Sequence, residues 1–495
     1  MLFCLKKTLM QVFSKTFVIS LIFISCIGGT QNFFCVEGVA YADNEFEYEE
    51  DEFGYEEEDD SFFGIDDSEI SEVRHDKRVD ETSFQFKGFI LQNAQYSYNL
   101  DSPYLSMFKT TINLSLEKKV NNIIKIKGGG NFFFDSAYRL KGRDSFTKET
   151  LDELEYEAEL RDTYIELKLL PSLYFTTGRQ VNAWGKSDFF RLNDRINSRD
   201  QRQLGVVELQ EARFPVFSSG LSYSPADYSL VFQVLHEANN DKIAPNGSEF
   251  DYYKSDSILV DEPVEPDVSF TDNSYFLKLT RFFNGGEISI YTADGYENLP
   301  YLEFSSIDIS SGRVLFVPQY KQTYSAGISG NFVKENTVFK YETIYTWDNA
   351  VQRKDIIEQL ISSPMRVPVA WEENDTIKTM FGVDYSGIHD LTVTVEGFSE
   401  SIINYENNLL SDKHSRMIYL LALYETLNST LDYSMLAIYR LKQNDSVVKL
   451  KVAYNIIDAL TIDAGVVIYM ASETDSQYYP YRNNDMIFSG IKYSF

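Results

Sequence analysis

Met486-Ile-Phe-Ser-Gly-Ile-Lys-Tyr-Ser-Phe495, at the end of the chain, is the segment that decides the fold. Its apolar positions are Ile487, Ile491, Tyr493 and Phe495, and the polar Lys492 and Ser494 lie between them. Because successive side chains of a β-strand point to opposite faces, this alternation predicts a strand with one apolar and one polar face. A closed β-barrel in a membrane contains such strands, since its outward face meets lipid and its last strand pairs with its first.

The same two-residue period continues through most of the chain from about Ser83. Apolar and polar residues alternate in many segments, among them 108–117, 163–169, 391–396, 448–454 and 460–468. Their lengths approach the roughly nine to eleven residues that a tilted membrane-spanning strand needs. The sequence therefore predicts an all-β fold, a transmembrane antiparallel up-and-down β-barrel of about eighteen strands, with sixteen as the alternative.

The connections between these segments alternate between tight turns and long polar loops. Turns such as Pro171-Ser172 and Glu335-Asn336 separate the longer loops, at 136–157, 181–211, 238–271, 295–319, 348–375, 400–415 and 472–485. Outer-membrane barrels place the short turns in the periplasm and the long loops outside the cell. The aromatic residues near strand ends are typical of the girdles of such barrels: Tyr341, Tyr345, Trp347, Tyr424, Tyr433, Tyr439 and Tyr469.

The N-terminal residues have the features of a secretory signal peptide. Lys6, Lys7 and Lys15 precede an apolar run at 17–27, and Ala40-Tyr41-Ala42 supplies the small residues of a cleavage site. We therefore assign 1–42 as a cleaved signal peptide and expect the protein in a Gram-negative outer membrane. A lipidation site at Ser25-Cys26 is the alternative, although the residues before it make a poor lipobox.

Composition excludes several classes of protein. The cysteines, Cys4, Cys26 and Cys35, all precede the predicted cleavage site, which excludes a cysteine nucleophile or thiolate metal site in the exported chain. After Ala42 no apolar run has the length of a spanning helix, and the mean hydropathy is −0.27, which excludes a helical membrane protein. The net charge of −30 argues against nucleic acid as a partner.

The sequence gives no sign of catalysis or of a cofactor. His75, His236, His389 and His414 are scattered, and they form neither a metal-ligand cluster nor a Ser-His-acid spacing. The glycines at 128–130 lack the Lys-Ser/Thr that follows in a phosphate-binding loop. We expect a protein that is not an enzyme and that binds no metal or cofactor.

Residues 43–82 form a separate region before the barrel, which we assign to 83–495. Its first part, 43–72, is crowded with Asp and Glu, lacks Lys and Arg, and includes aromatic residues: Phe46, Tyr48, Phe53, Tyr55, Phe62 and Phe63. Self-repulsion and the scarcity of aliphatic residues predict disorder. Three roles remain open: a periplasmic tether that binds a basic partner, a loose trap for divalent cations, and a solvated linker.

Residues 178–202 have an unusual density of paired charges. The basic members are Arg179, Lys186, Arg191, Arg195, Arg199 and Arg202, and the acidic members are Asp188, Asp194 and Asp200. Three of the arginines recur every four residues, so a short helix would stack their guanidinium groups on one face. Three interpretations remain open: a charged pore constriction, a salt-bridged anchor that fixes the loop to the inner wall, and a ligand site.

This segment resembles a motif of a large, poorly characterised family of outer-membrane proteins. These are porin-like barrels akin to alginate-export channels, and some are associated with RND-type transporters. The matching residues are Gly178-Arg179-Gln180, Trp184-Gly185-Lys186-Ser187-Asp188 and Asp194-Arg195-Ile196-Asn197-Ser198-Arg199-Asp200, with Ser198 where proline is usual. The resemblance implies an outer-membrane channel, with export of a hydrophobic or polysaccharide cargo as one implied role, and it supplies no substrate.

The C-terminal residues Ile491, Tyr493 and Phe495 are similar to the β-signal of bacterial outer-membrane proteins, which the barrel assembly machinery reads. Ser489 departs from the most hydrophobic form of that signal. The similarity implies the assembly machinery as a partner, in addition to outer-membrane lipid.

Three hypotheses for function remain. The leading one is a channel for passive or gated passage of small solutes, with 181–211 as its narrow point. The second is an export barrel that works with an inner-membrane transporter. The third is a closed structural barrel that docks a periplasmic partner through the acidic segment.

Overall fold

The structure, a computed structural model, describes residues 84–99, 104–203, 212–254, 257–266, 273–308, 310–363, 366–474 and 476–495. The predicted signal peptide and acidic segment lie outside these residues. The strands of the main sheet are β1 (Gln85–Ser97), β2 (Tyr104–Lys119), β3 (Ile124–Asp135), β4 (Tyr156–Leu160), β5 (Thr163–Leu170), β6 (Leu173–Gln180), β8 (Val216–Tyr223), β9 (Tyr228–Leu235), β12 (Tyr275–Phe283), β13 (Gly286–Tyr296), β16 (Gln322–Lys334), β17 (Thr337–Gln352), β18 (Trp371–Ile388), β19 (Leu391–Ile402), β20 (His414–Thr426), β21 (Leu431–Arg440), β22 (Asp445–Ile457), β23 (Leu460–Met470) and β24 (Met486–Ser494). Short strands in the loops are β7 (Asp200–Gln201), β10 (Lys242–Ile243), β11 (Ile258–Val260), β14 (Tyr301–Asp308) and β15 (Arg313–Gln319).

The main sheet is a closed antiparallel barrel of 18 strands. Both β4 and β5 pair with β3, so together they form one strand that is interrupted at 161–162. The other strands pair with their neighbours in chain order, and this confirms the predicted up-and-down topology and the strand number. A barrel of this size has room for an aqueous lumen, unless loops fill it.

The barrel closes where the last strand meets the first. β24 pairs with β1 along its length, from Ser97 opposite Met486 to Phe89 opposite Ser494. The ladder ends on Gly88 and Phe495, whose backbone groups exchange two hydrogen bonds of 2.9 Å. The predicted faces of β24 are confirmed, because Ile487, Ile491 and Tyr493 are each about half exposed on the outside while Met486 is buried.

An apolar belt surrounds the barrel. Exposed aliphatic residues occupy the outer face of many strands, among them Ile90, Leu114, Ile126, Leu279, Ile290, Val395 and Ile462. Exposed aromatic residues lie towards the turns, including Tyr223, Tyr228, Tyr385, Tyr424, Tyr433, Tyr454 and Tyr493, and others lie towards the loops, including Tyr96, Tyr324 and Trp347. This is the surface that a bilayer with two interfaces requires. Tyr469 differs from its predicted place in a girdle, because it is fully buried in an apolar cluster.

The two ends of the barrel differ in their connections. At one end, which we call the turn side, the strands are joined by short turns at 120–123, 171–172, 224–227, 284–285, 335–336, 389–390, 427–430 and 458–459. At the other end, the loop side, most connections are long, as predicted. They contain the short helices Ala137–Lys141, Lys148–Leu154 and Ile356–Ser362. Among the described residues, no helix is long and apolar enough to cross a membrane.

Candidate functional site

The loop after β6, residues 181–203, is folded into the barrel and reaches the opposite wall. Near its start, the Trp184 ring packs against Phe276 of β12 and Tyr291 of β13, with centroids 6.1 and 5.9 Å away. At its far end, the Phe189 ring stacks on Tyr419 of β20 at 5.1 Å. Because β20 is the ninth strand after β6 in an 18-strand barrel, the loop spans the full width of the lumen.

Glu342 of β17 is the main anchor for this loop. One carboxylate oxygen accepts hydrogen bonds from the backbone N–H groups of Lys186 (2.7 Å) and Ser187 (3.2 Å). The other accepts from the backbone N–H of Asn193 (2.6 Å) and from its side-chain amide (3.0 Å). The Glu342 side chain is buried, and hydrogen bonds to a buried charge are stronger than those between neutral groups. Both ends of segment 186–193 are therefore fixed to one carboxylate.

A second anchor lies two strands further around the wall. Glu396 of β19 accepts hydrogen bonds from the Ser187 hydroxyl (2.6 Å) and from the backbone N–H of Asp188 (2.8 Å). The Asp188 carboxylate in turn pairs with Lys340 of β17 at 2.6 Å. Burial raises the pKa of Asp188, and the ammonium of Lys340 opposes this shift. The loop tip is thus held by both a carboxylate, Glu396, and an ammonium group, Lys340, of the wall.

The predicted arginine helix is wrong, because residues 181–199 form no helix. Arg191 pairs with Asp241 at 2.7 Å, and Arg195 pairs with Glu297 at 2.7 Å. Arg199 pairs with Asp194 at 2.9 Å. The three guanidinium groups therefore point to different partners instead of sharing a face. The physical reason is that backbone N–H groups of this segment are bound by the wall carboxylates, so they are not available for helical hydrogen bonds.

Asp194 is the centre of the charge network within the loop. It accepts hydrogen bonds from Arg199 (2.9 Å) and from Arg213 (3.1 Å), and its side chain is almost fully buried. Burial by itself raises the pKa of Asp194, but the guanidinium groups of Arg213 and Arg199 outweigh it, so the pKa lies below its ordinary value. In the same way, Arg195 holds the pKa of the partly buried Glu297 below its ordinary value against the effect of burial.

The remaining predicted site residues divide into two groups. Lys186 reaches the wall and pairs with Glu287 of β13. Arg202 pairs with Asp200 at 2.7 Å and with Glu157 of β4 at 2.8 Å, which ties the end of the loop to the near wall. Arg179 is different, because the structure places it on the outer face at the loop-side rim, where it pairs with Glu237 at 3.0 Å. Arg179 therefore does not line the lumen, which corrects its inclusion in the constriction.

The motif residue Asn197 joins the two ends of the loop where it leaves and returns to the barrel wall. Its side-chain amide donates to the carbonyl oxygens of Phe214 (2.6 Å) and Gln180 (3.2 Å), and its side-chain oxygen accepts from the backbone N–H of Asn182 (2.6 Å). Asn197 is fully buried, so these bonds satisfy backbone groups that water cannot reach. The sequence motif is thus explained by the closure of the loop base rather than by a ligand.

The most important wall residues were not identified from the sequence. Glu342 and Glu396 occupy ordinary polar positions in strands whose apolar and polar residues alternate. That pattern predicts only that both side chains face the lumen. Close approach of the loop shows in the glycines around them. Gly185 has φ +108°, and a Cβ there would come within 2.9 Å of the Glu342 carboxylate. A Cβ on Gly327 of β16 would collide with the Asn193 side chain.

A second segment, 242–254, enters the barrel from the loop side. Phe250 packs with Tyr469 and Tyr481 in a buried apolar cluster at the loop-side ends of β22, β23 and β24. The Glu249 carboxylate accepts hydrogen bonds from the Ser97 hydroxyl (2.6 Å) and the Tyr104 hydroxyl (3.0 Å). Burial raises the pKa of Glu249, and these hydroxyl groups oppose the shift. The sequence predicted only a polar loop here.

Comparison with protein families identifies the chain. Residues 93–419 match the family described as "Protein of unknown function (DUF1302)". The chain belongs to this family. The matched region of this DUF1302 protein includes the whole of segment 178–202. A comparison with curated proteins found no match.

Several solved structures are similar to this DUF1302 protein. OccAB1 from Acinetobacter baumannii has a TM-score of 0.51 at 9% sequence identity, covering 84% of this chain and 97% of that one. OccK8 (OprE) from Pseudomonas aeruginosa has a TM-score of 0.48 at 9% identity, covering 83% and 98%. OmpT, an outer membrane protein of Vibrio cholerae, has a TM-score of 0.38 at 8% identity, covering 83% and 99%. At these identities the likeness to OccAB1 concerns the fold alone.

Proposed function

We propose that this protein is an outer-membrane channel for small solutes, narrowed by the inward loop 181–203. The observation that supports this most is that the loop crosses a closed barrel and is fixed to the far wall by Glu342 and Glu396. A loop held at a defined depth in a lumen sets the width and the charge of the remaining path. In this proposal the ion pairs that anchor the loop to the wall also hold the constriction in place.

Single-channel conductance tests this proposal. Protein produced from the full-length chain is extracted from the outer membranes of the expressing bacterium and added to a planar bilayer. Steps of a defined size are expected. Protein that inserts, shows heat-modifiable gel mobility and yet stays silent would contradict an open or self-gating channel.

Ion selectivity tests the role of the arginines. Changing Arg191, Arg195 and Arg199 together to Ala leaves Asp241, Glu297 and Asp194 without these partners in the lumen. We expect the reversal potential in a KCl gradient to shift towards cation selectivity. Unchanged selectivity combined with a lower unfolding temperature would mean that the arginines act only as an anchor.

A second candidate is an export barrel that works with an inner-membrane transporter, as the resemblance of segment 178–202 implies. The observation that favours it is that the loop charges are paired within the protein, so opening requires energy from outside. In that case the purified barrel is closed, and conductance appears only with a transporter or its periplasmic adaptor. The acidic segment 43–72 is the proposed docking element, so its deletion is expected to leave the barrel closed even when the transporter is present.

The proposed location is the outer membrane, reached through a signal peptide cleaved after Ala42. The apolar belt and the C-terminal residues Ile491, Tyr493 and Phe495 support insertion by the barrel assembly machinery. Membrane fractionation and N-terminal sequencing test this, and the mature protein is expected to begin at Asp43. Recovery in the inner membrane or with an intact leader would contradict it.

A further inference from the structure

One part of the inner wall is rich in lysine. On the turn-side half of the lumen, Lys451 of β22, Lys492 of β24, Lys87 of β1, Lys125 and Lys127 of β3 and Lys168 of β5 form what we call the lysine wall. Each alternates with residues of the apolar outer face; Lys125 and Lys127, for example, flank the exposed Ile126. The alternation of a strand therefore directs these ammonium groups into the lumen.

Lysines outnumber carboxylates on this wall. Glu117 lies 3.2 Å from Lys125, and Asp162 lies 3.5 Å from Lys127. Glu166 and Asp463 also lie on this half of the wall, and Asp432 of the neighbouring β21 interacts electrostatically with Lys451. About a third of the Lys127 side chain is exposed, and Lys87 and Lys168 are exposed residues. A positive charge excess therefore faces the water of the lumen.

The opposite wall has the reverse balance. The inner faces of β17, β18 and β19 carry Glu342, Asp384, Glu396 and Glu400, with Lys340 and Lys378 between them. The inward loop docks against this acidic side, and the lysine wall faces it across the lumen. Opposite charge on two facing walls gives a transverse field, and an anion in the lumen is drawn to the lysine side.

Aromatic rings accompany the lysines. The ammonium of Lys492 lies 4.5 Å from the ring centroid of Phe89. Lys168 lies 5.7 Å from the ring of Tyr174, and Lys127 lies 5.9 Å from that of Tyr164. An ammonium beside an aromatic face offers one group for a carboxylate and an adjoining surface for an apolar body.

We propose that the lysine wall binds and guides organic anions with an apolar or aromatic body, with aromatic carboxylates as the simplest class. This inference rests on the proposed channel function, because it names the solutes that such a channel takes. The carboxylate pairs with an ammonium, and the ring packs against the neighbouring aromatic side chain. Both contacts are weak and repeated along the wall, which suits passage rather than retention.

Block of the single-channel KCl current tests the inference with three probes: benzoate, benzylammonium and acetate. Benzoate is expected to interrupt the current for about fivefold longer than either of the others, since benzylammonium has the wrong charge and acetate lacks the ring. Higher salt is expected to shorten the benzoate events through screening. Equal block by benzylammonium, or by acetate, would overturn the proposal.

Paired variants assign the effect to this wall. Lys127→Gln with Lys492→Gln is expected to shorten the benzoate events at least about threefold. Lys378→Gln is the matched control, because Lys378 also faces the lumen but lies on the acidic side, 3.7 Å from Glu400. If the control variant shortens the events as much, the lysine wall is not the site.

Absence of single-channel current in the bilayer would contradict the channel proposal, but it would not test the binding site. In that case, calorimetry of detergent-solubilised protein with the same three probes measures binding directly. A heat of benzoate binding that is lost in the Lys127→Gln, Lys492→Gln variant supports a binding site on the lysine wall of a closed barrel. No difference between benzoate and acetate overturns it.

Discussion

At the scale of single residues, Glu342 determines whether the loop stays docked. Each of its carboxylate oxygens accepts two hydrogen bonds from segment 186–193. Glu342→Gln replaces one oxygen by an NH₂ group that faces donors, so the docked loop is expected to lose about 2–4 kcal/mol. The expected result is a larger and noisier single-channel conductance with a correctly assembled barrel.

Glu400→Gln is the control for that change. Glu400 also faces the lumen from β19, but it is about a third exposed and lies 3.7 Å from Lys378. A partly exposed pair at that distance contributes little, so conductance is expected to stay near that of the unaltered protein. If both variants conduct alike, Glu342 is not the anchor.

Asp194 gives the loop a defined dependence on pH. Its pKa in the folded protein lies below its ordinary value of 3.8, because Arg213 and Arg199 outweigh burial. A lowered carboxyl pKa stabilises the docked loop above that ordinary value, and the stabilisation is lost as the pH falls through the folded pKa. The pKa of Glu297 is lowered in the same direction from 4.5. Through Asp194 and Glu297, docking of the loop is therefore expected to be unaffected by pH from neutral to about 5 and to weaken below about 4, where the conductance becomes noisier.

The Asp194→Asn variant separates this effect from general acid unfolding. It removes the charge that Arg199 and Arg213 bind, so it is expected to show the noisy conductance already at neutral pH. Gel mobility of the unheated protein reports whether the barrel itself stays folded. A transition confined to pH 5–6 that persists in this variant would mean that another group controls the loop.

At the scale of elements, the loop tip is held by aromatic stacking as well as by charge. Phe189 stacks on Tyr419, and Phe190 stacks on Phe398 with ring centroids 4.7 Å apart. Each pair contributes about 0.5–1.5 kcal/mol beyond its buried area. Phe189→Ala with Phe190→Ala is therefore expected to release the tip and to raise the mean conductance.

Phe146→Ala is the matched control for the loop tip. Phe146 packs on Tyr138 at 4.8 Å in another loop on the same side of the barrel. Its loss removes a similar contact outside segment 181–203, so conductance is expected to remain unchanged. A rise of equal size in both variants would show that general loosening of the loops, not the tip, controls the current.

The strands could be predicted from the sequence, and the path of the loop could not. Alternation identifies the faces of strands such as β24, because lipid on one side and water on the other impose a period of two. The path of segment 181–203 depends on partners far along the chain, including Glu342 and Glu396. The four-residue spacing of its arginines was a local pattern, and non-local carboxylates outweighed it. Arg179 was misplaced because a residue at a strand end can face either side.

At the scale of the whole molecule, closure of the barrel depends on the seam between its first strand, β1, and its last strand, β24. Gly88 lies where β1 meets the end of β24, and a Cβ there would come within 2.6 Å of the Asn113 carbonyl oxygen and 2.9 Å of the Phe495 ring. The Phe495 ring also packs on Phe86 at 5.7 Å. A side chain at this position must therefore displace both the backbone of β2 and the ring of the last residue of the chain.

Gly88→Ala is accordingly expected to weaken closure of the barrel. The measurement is the temperature at which unheated protein changes to the mobility of the unfolded form on gels, and a decrease of several degrees is expected from a change of about 1–3 kcal/mol. Gly128→Ala is the control, because Gly128 lies on β3 and its added Cβ would meet nothing within 4 Å. Both glycines lie in strand backbone, so the effect of alanine on the unfolded chain is shared and cancels in the comparison. Equal transition temperatures for the two variants would mean that the seam tolerates a side chain and that the barrel is held closed by its other strand pairs.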